Sequence, residues 1–486
     1  MKQQGVSDKF LKGISTQTVV SIINAILQLI VFAVLSRILS KEDFGYYAVL
    51  MGITSIFMSI SDAGIGSAVV QQKNLTKQFC STSFSLSILF SLFLSAVFLL
   101  FSPLLAEVLK IEDLILPLRL MSVPLILHSV NGYATAILKR NLDFLVIGKF
   151  KILSYSISSF IAIIYALYGG GVYSLLLLFV LDSILYTSFL FSKIETPSIK
   201  IKKDETNKII AFGGWLSLGV IMSSVSSQLD KVVLGRWLTA ERLGAYFRPA
   251  GFILHIISTI NSIFDSVLFP ILSGYQDSKE HFKSLLQKSF SLLSTLGFIL
   301  AFVFFFNSEL IIVVFFGEKW MDLKPILEIT SICAIFMLTN TLADCFFRSF
   351  NLVRDGFFIR FVGVFIYLLF LYEGARYDII GVAVSVCLSN FIVVVIKLVY
   401  LCKKSHIRLF SMLLIWVKAI IPVIPIAMVG LFFYFVPSNI YTQLVKSIVI
   451  MLVIAVEFLL YPQIMGEEYM RLLYPKIKFI INRLLK

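Results

Sequence analysis

Asp230 and Lys231 stand side by side six residues inside the end of an apolar segment, about 9 Å deep at 1.5 Å per residue. Arg248 and Asp265 follow along the next segment. An ionisable group at such depth must face protein or water, so it marks a buried ion pair or a path for a charged ligand or ion. A cation can hold an anion through charge-assisted hydrogen bonds, and a carboxylate can bind or release a small cation. Two polar stripes accompany these charges. Gln17, Ser21, Asn24 and Gln28 recur at helical steps in one segment, and Ser217, Ser224, Gln228 and Lys231 in another. Either stripe can line a hydrated path and hydrogen-bond sugar hydroxyls, or hold helices together. His128, alone in an apolar segment, reads as a packing residue, and Asp344 and Arg348, four apart, read as an internal pair.

These residues need elements able to place charge in an apolar medium. Of the 486 residues, 58% are hydrophobic and 14% charged, against about 25% charged in soluble domains. Apolar stretches of roughly 20 residues recur from end to end, each long enough to cross a bilayer as a helix. Helices are required because lipid satisfies no backbone polar group. The pattern predicts an all-α polytopic membrane protein with fourteen spans, the first near residue 25 and the last near 452. The basic amino terminus precedes an apolar run too long for a signal peptide and reads as the first span. Lys and Arg crowd the alternate connections on the amino-terminal side, with only Lys231 and Lys418 counted inside spans, which predicts cytoplasmic termini. The net charge of +14 follows from that bias and does not imply nucleic-acid binding. The five cysteines form no CxxC pair, so neither a zinc site nor a disulfide framework is expected. The basic tail from Pro475 spaces Ile477, Ile480, Ile481 and Leu484 like an amphipathic helix lying on a membrane; a frayed basic end fits it equally.

A repeat organises the spans. VLSRILSKEDFGYYA (Val34 to Ala48) returns as VLGRWLTAERLGAYF (Val233 to Phe247), 199 residues later and without a gap. Ser40 and Thr239 are N-cap types, and Glu42 and Glu241 favour the first turn of a helix. Gly45 and Gly244 permit close helix approach, Tyr47 and Tyr246 suit headgroup depth, and Arg37 and Arg236 suit helix carboxyl ends. An even number of spans separates the copies, which predicts a parallel repeat: two six-helix lobes around a central cavity, plus two carboxyl-terminal helices. The boundaries are 1–200 and 201–402 for the lobes, joined by a cytoplasmic linker around residues 193–208, and 403–486 for the last two spans and tail. Charges shared by both copies (Arg37, Arg236) read as architecture or cavity mouth; charges in one copy only (Asp230, Lys231, Arg248, Asp265) are the stronger functional candidates.

SQLDKVVLGRWLTAERLGAYFRPAGFI (Ser227 to Ile253) resembles the signature of the bacterial polysaccharide flippases, within the multidrug/oligosaccharidyl-lipid/polysaccharide exporter superfamily. SDAGIGSAVVQQ (Ser61 to Gln72), ILKRNLDFLVIGKF (Ile137 to Phe150) and FPILSGYQDSKEHFKSLLQKS (Phe269 to Ser289) resemble other stretches of that family, over most of residues 10 to 400. Asp62, Asp230, Gly235 and Arg236 occupy motif positions. The resemblance implies fourteen helices in two bundles and alternating access in a bacterial cytoplasmic membrane. It also implies a polyprenyl-diphosphate-linked oligosaccharide as cargo, moved to the outer leaflet, with a polymerase and glycosyltransferases as candidate partners. Lys231 and Arg248, with Arg37 and Arg236 at the cavity mouth, would then neutralise the diphosphate, and Asn24, Gln28 and Gln228 would supply polar wall. No G-x-x-x-x-G-K-[ST] loop is present, so a proton or sodium gradient is the expected drive, with Asp230, Asp265 or Asp62 as the coupling carboxylate and no cofactor. The GGG at Gly169 reads as a short turn. The alternatives are a cation-coupled multidrug exporter, a membrane glycan-modifying enzyme, which would need acid/base groups on larger outer loops, and a non-transporting scaffold.

Overall fold

The computed structural model describes the backbone of residues 2–460, except 63, 73–74, 142, 274–278, 351 and 438. Side chains are described from 19 to 457, save those of 62, 210–219, 223, 226 and most of 263–281. The side chains of Gln17, Asp62, Ser217 and Asp265, and the basic tail, therefore lie outside the described residues.

Regular structure among the described residues is helical. The first compact unit, Met1–Phe247, holds α1 (Lys2–Ile38), α2 (Lys41–Asp62), α3 (Ile65–Gln71), α4 (Lys77–Leu109), α5 (Ile115–Leu120), α6 (Ser122–Arg140), α7 (Phe144–Leu167), α8 (Val172–Phe191), α9 (Lys203–Trp237) and the start of α10 (Ala240–Ser273). The second, Arg248–Lys486, holds the rest of α10, α11 (Lys279–Phe306), short α12 (Ser308–Ile311), α13 (Lys324–Ser349), α14 (Val353–Ala375), α15 (Asp378–Ser405), α16 (Leu409–Ile420), α17 (Ile424–Tyr434) and α18 (Ile440–Leu460). Among the described residues, 13 helical stretches are long and apolar enough to cross a membrane. The 35-residue α9 occupies the place of the expected seventh span. This is a multi-pass α-helical membrane protein. Its outward faces are apolar, as lipid demands: Phe357, Phe358, Phe361, Phe365 and Leu369 line one exposed side of α14.

Each unit repeats one packing scheme. In the first, α4 packs on α6, α6 on α8 and α7 on α8; in the second, α11 packs on α13, α13 on α15 and α14 on α15. The serines of α4 make close packing possible: Ser81 to Ser95 include seven buried hydroxyl or small positions, and Ser95 Oγ donates to the Ser122 carbonyl of α6 at 3.1 Å. They also hold the expected linker. Ser81 Oγ lies 3.1 Å from Ser198 Oγ, and the Lys202 N–H donates to Thr82 Oγ1 at 3.2 Å, so the segment before α9 is pinned along α4 rather than running free.

The repeated sequence closes on itself. Ser40 caps α2 reciprocally with Asp43, each side-chain oxygen accepting the other's N–H, at 2.9 and 3.1 Å. A Cβ on Gly45 would run into the Ala240 carbonyl, and a Cβ on Gly244 into the Lys41 carbonyl. Both pairs are related by the same 199-residue offset, so the amino-terminal turns of α2 and α10 cross backbone to backbone in a reciprocal contact. The headgroup expectation fails for Tyr246, which is 3% exposed and packs edge-on to Phe247 at 4.9 Å; the crossing turns its ring into the bundle. Replacing Gly45 or Gly244 with valine should push the two backbones apart and cost about 1–3 kcal/mol, the range of core overpacking, seen as a lower melting temperature of the purified protein; an unchanged melt would show that the crossing is not tight.

Candidate functional site

α7 and α8 form an antiparallel hairpin closed at Gly169–Gly171, where positive φ at Gly169 (83°) and Gly171 (49°) makes the turn the sequence leads one to expect. Lys151 and Ser154 lie three apart on α7, hence on one face, and Asp182 and Tyr186 lie four apart on α8. The hairpin sets these faces together. Lys151 Nζ meets Asp182 Oδ2 at 2.6 Å, and Ser154 Oγ donates to Asp182 Oδ1 at 2.6 Å. The ammonium also stands 5.1 Å from the Tyr186 ring centroid, within cation–π range. Asp182 is buried, its side chain 8% exposed, whereas that of Lys151 is 36% exposed.

The open side of Lys151 faces a cavity of about 830 Å³ within the first unit. α6 supplies His128, Asn131, Thr135 and Lys139; α2 supplies Met51 and Met58; α3 supplies Gly66 and Ser67. The carboxyl end of α6 divides its cations. Arg140 donates to the Val69 carbonyl at 3.3 Å and also to that of Gln72, tying down α3, while Lys139 is exposed along the cavity. Asn131 Oδ1 has no hydrogen-bond partner among the described residues. Two cations, a histidine, an amide and hydroxyls around a space of this size can take a polar, anionic group; ligand pockets commonly span about 300–1,000 Å³.

None of the ten residues expected from sequence to bind cargo or couple an ion is among the described lining residues. Gln228 and Lys231 do come together, Nζ to Oε1 at 2.6 Å, but against α2: the Lys231 stem lies on Gly52, and Ser224 Oγ donates to the Ser55 carbonyl at 3.3 Å. Asp230 is half-buried beside them and accepts the Lys231 backbone N–H at 2.8 Å. Arg37 and Arg236 are exposed in the last turns of α1 and α9, and Arg248 is buried on α10. Asn24 and Gln28 are half-buried on α1, which packs on α7. Asp265 and Asp62 lie outside the described side chains. His128 is exposed on the cavity rather than packed, on the same face of α6 as Asn131 and Thr135.

The second unit holds a different charged group. Lys397, its side chain 2% exposed, donates to Asn340 Oδ1 and Asp344 Oδ1, each at 2.6 Å, and Arg360 reaches Asp344 Oδ2 at 3.2 Å. The expected pairing of Asp344 with Arg348 is thus replaced: the carboxylate turns to α14 and α15, and Arg348 donates to the Asp344 carbonyl at 3.4 Å. Lys151 and Lys397 both lie within helices that the sequence count had given to connections. The available signal was Asp182, a lone acid mid-way along a 20-residue apolar helix, which demands a partner.

Comparison with known proteins agrees with this architecture. Residues 34–325 match the family model described as polysaccharide biosynthesis protein, and the chain belongs to that family. It is 23% identical over 336 residues to the lipopolysaccharide biosynthesis protein WzxC of Escherichia coli (strain K12), covering 68% of each chain. It is also 23% identical to the teichuronic acid biosynthesis protein TuaB of Bacillus subtilis (strain 168), covering 68% of this chain and 69% of TuaB. Among solved structures, the lipid II flippase MurJ in its inward closed conformation superposes with a TM-score of 0.69 at 16% identity, over 91% of this chain and 98% of MurJ. That likeness establishes a shared fold.

The Lys397 cluster yields a stability prediction. Asp344→Asn strands a buried ammonium and should cost about 3–5 kcal/mol. Adding Lys397→Met removes the stranded charge, so the double variant should melt higher than the single one. The reverse order in thermal melts of the detergent-purified protein would show that the pair is not the main support of this region.

Proposed function

We propose that this member of the polysaccharide biosynthesis protein family moves a polyprenyl-diphosphate-linked oligosaccharide from the cytoplasmic to the outer leaflet of a bacterial cytoplasmic membrane. The observation that carries the reading is a cation-lined cavity set among apolar membrane helices. A diphosphate-sugar head group cannot enter hydrocarbon unaided, because each unpaired polar group and charge costs several kcal/mol. Its polyprenyl tail can stay in lipid. The protein's task is therefore to shield the head alone, and Lys139 and Lys151 supply the charge while Asn131, Thr135 and Ser183 supply hydroxyl-binding groups. The names of WzxC, TuaB and MurJ support the same substrate class.

The orientation follows from the Lys and Arg bias, with both termini cytoplasmic. The cavity is lined along α6 from Pro124 in its first turn to Lys139 in its last, and on that orientation Lys139 stands at the end nearer the side where the cargo is made. Two lobes, 1–200 and 201–402, that alternate in access under a proton or sodium gradient complete the proposal. Lys231 and Arg248 remain in it as further cations along the path. A drug-cation exporter fits the cavity less well: its one described acid, Asp182, is already held by Lys151, and Lys139 would repel a cationic guest.

Reconstitution into vesicles with a fluorescent lipid-linked oligosaccharide tests this directly. The protein should speed transfer between leaflets relative to protein-free vesicles. Lys139→Glu should slow it at least about tenfold, the loss of one charge-assisted contact, with the melting temperature unchanged. Transfer no faster than in empty vesicles would overturn the reading.

A further inference from the structure

Among the described residues lining the cavity, Asp182 is the one acid. Its two oxygens are taken by the Lys151 ammonium and the Ser154 hydroxyl, both at 2.6 Å. Lys151 has its other side open to the cavity. A single ammonium therefore lies between a buried carboxylate and the space a ligand would fill, and an entering phosphate competes with Asp182 for the same N–H donors.

We propose that Lys151 changes partner on ligand binding: a phosphodiester head group in the cavity takes it from Asp182, and Asp182, left among apolar helices without its cation, takes one proton from the buffered bulk solution, whose acid is converted to its conjugate base. The proposal rests on the transport reading, because it takes the ligand to be a lipid-linked diphosphate. The physical reason for the proton is the cost of an ionised carboxylate stranded in a low-dielectric span. The carboxylate gains one proton and nothing else changes covalently. The linkage concerns loading of the site and sets no requirement on the gradient that drives net transport.

The surroundings of Asp182 narrow the assignment. α7 offers Lys151 and Ser154, and α8 itself offers Tyr186 one turn on. α6 brings His128 and Lys139 to the same cavity, and α2 brings Met51 and Met58. α5, which also packs on α8, carries Arg119, exposed and outside the cavity lining. His128 is thus the rival proton acceptor.

Calorimetry on the full-length protein in lipid nanodiscs decides the matter. The probe is geranyl-diphospho-N-acetylglucosamine, whose diester phosphates stay ionised across the neutral range. Buffers of different ionisation enthalpy count the protons. The wild type should take up close to one proton per probe bound near neutral pH, and its Kd should rise with pH, by up to about tenfold per unit. Asp182→Asn should bind about tenfold tighter, with no proton uptake, because the internal competitor is gone; Lys151→Gln should bind at least about tenfold weaker. A merely structural role for Asp182 gives weaker or unchanged binding in Asp182→Asn and overturns the proposal. Proton uptake that persists in that variant moves the proton to His128 and also overturns it. Should Asp182→Asn fail to fold, the wild-type pH series still decides: a Kd independent of pH sinks the linkage. Leaflet transfer measured on the same preparations separates the two readings. Transfer without probe binding defeats the subsite alone, whereas absence of transfer defeats the transport reading beneath it.

Discussion

A carboxylate inside a membrane bundle must be given a cation, and much of this structure is arranged around that demand. Asp182 receives Lys151 and Asp344 receives Lys397, each at 2.6 Å. The two pairs solve one problem with opposite exposure. Lys397 is 2% exposed and spends its donors on Asn340 and Asp344 within the helix packing. Lys151 is 36% exposed and keeps part of its ammonium toward open space. Full enclosure makes the first a fastening between helices. Partial enclosure leaves the second able to answer a ligand, which is why the cavity beside it carries the functional argument.

The helices can present these pairs only because their backbones come close enough for short polar side chains to reach. Small residues make that possible throughout. Gly148 takes Val20 of α1, Gly52 takes the Lys231 stem, and the buried serines of α4 take α6 and the segment before α9. Gly45 and Gly244 go furthest, bringing two helix starts into mutual backbone contact. In lipid there is no hydrophobic gain from pressing helices together, so contact area and polar bonds of this kind carry the association. A larger side chain at these positions would weaken the crossing and shift every pair that depends on its register.

Several parts of this arrangement could be read in the residues beforehand. The spans follow from apolar length, and the repeat follows from two gapless copies at a constant offset. The glycines at 45 and 244 announced a close approach, and the three glycines at 169 a turn. The charges were harder. Asp230, Lys231 and Arg248 drew notice because the repeat set them apart, yet Lys231 lies against α2 with Gln228. Lys151 escaped because it sits two turns into α7, close enough to the helix start to be counted with a basic connection. His128 drew notice but reads from sequence as a packing residue, because a lone histidine gives no sign of which way its helix is turned.

Sequence alone determined the medium, the element type and the duplication, since each depends on local composition and on spacing along one chain. Tertiary structure alone decided which charges meet and which face open space. Pairing Lys151 with Asp182 requires the rotation of α7 against α8, and pairing Lys397 with Asp344 requires α15 to lie against α13 across the intervening α14, which adds Arg360. Rotation about a helix axis is set by packing against neighbours. An apolar span surrounded by apolar lipid carries little periodic signal of its own, so that angle is not written in any one segment.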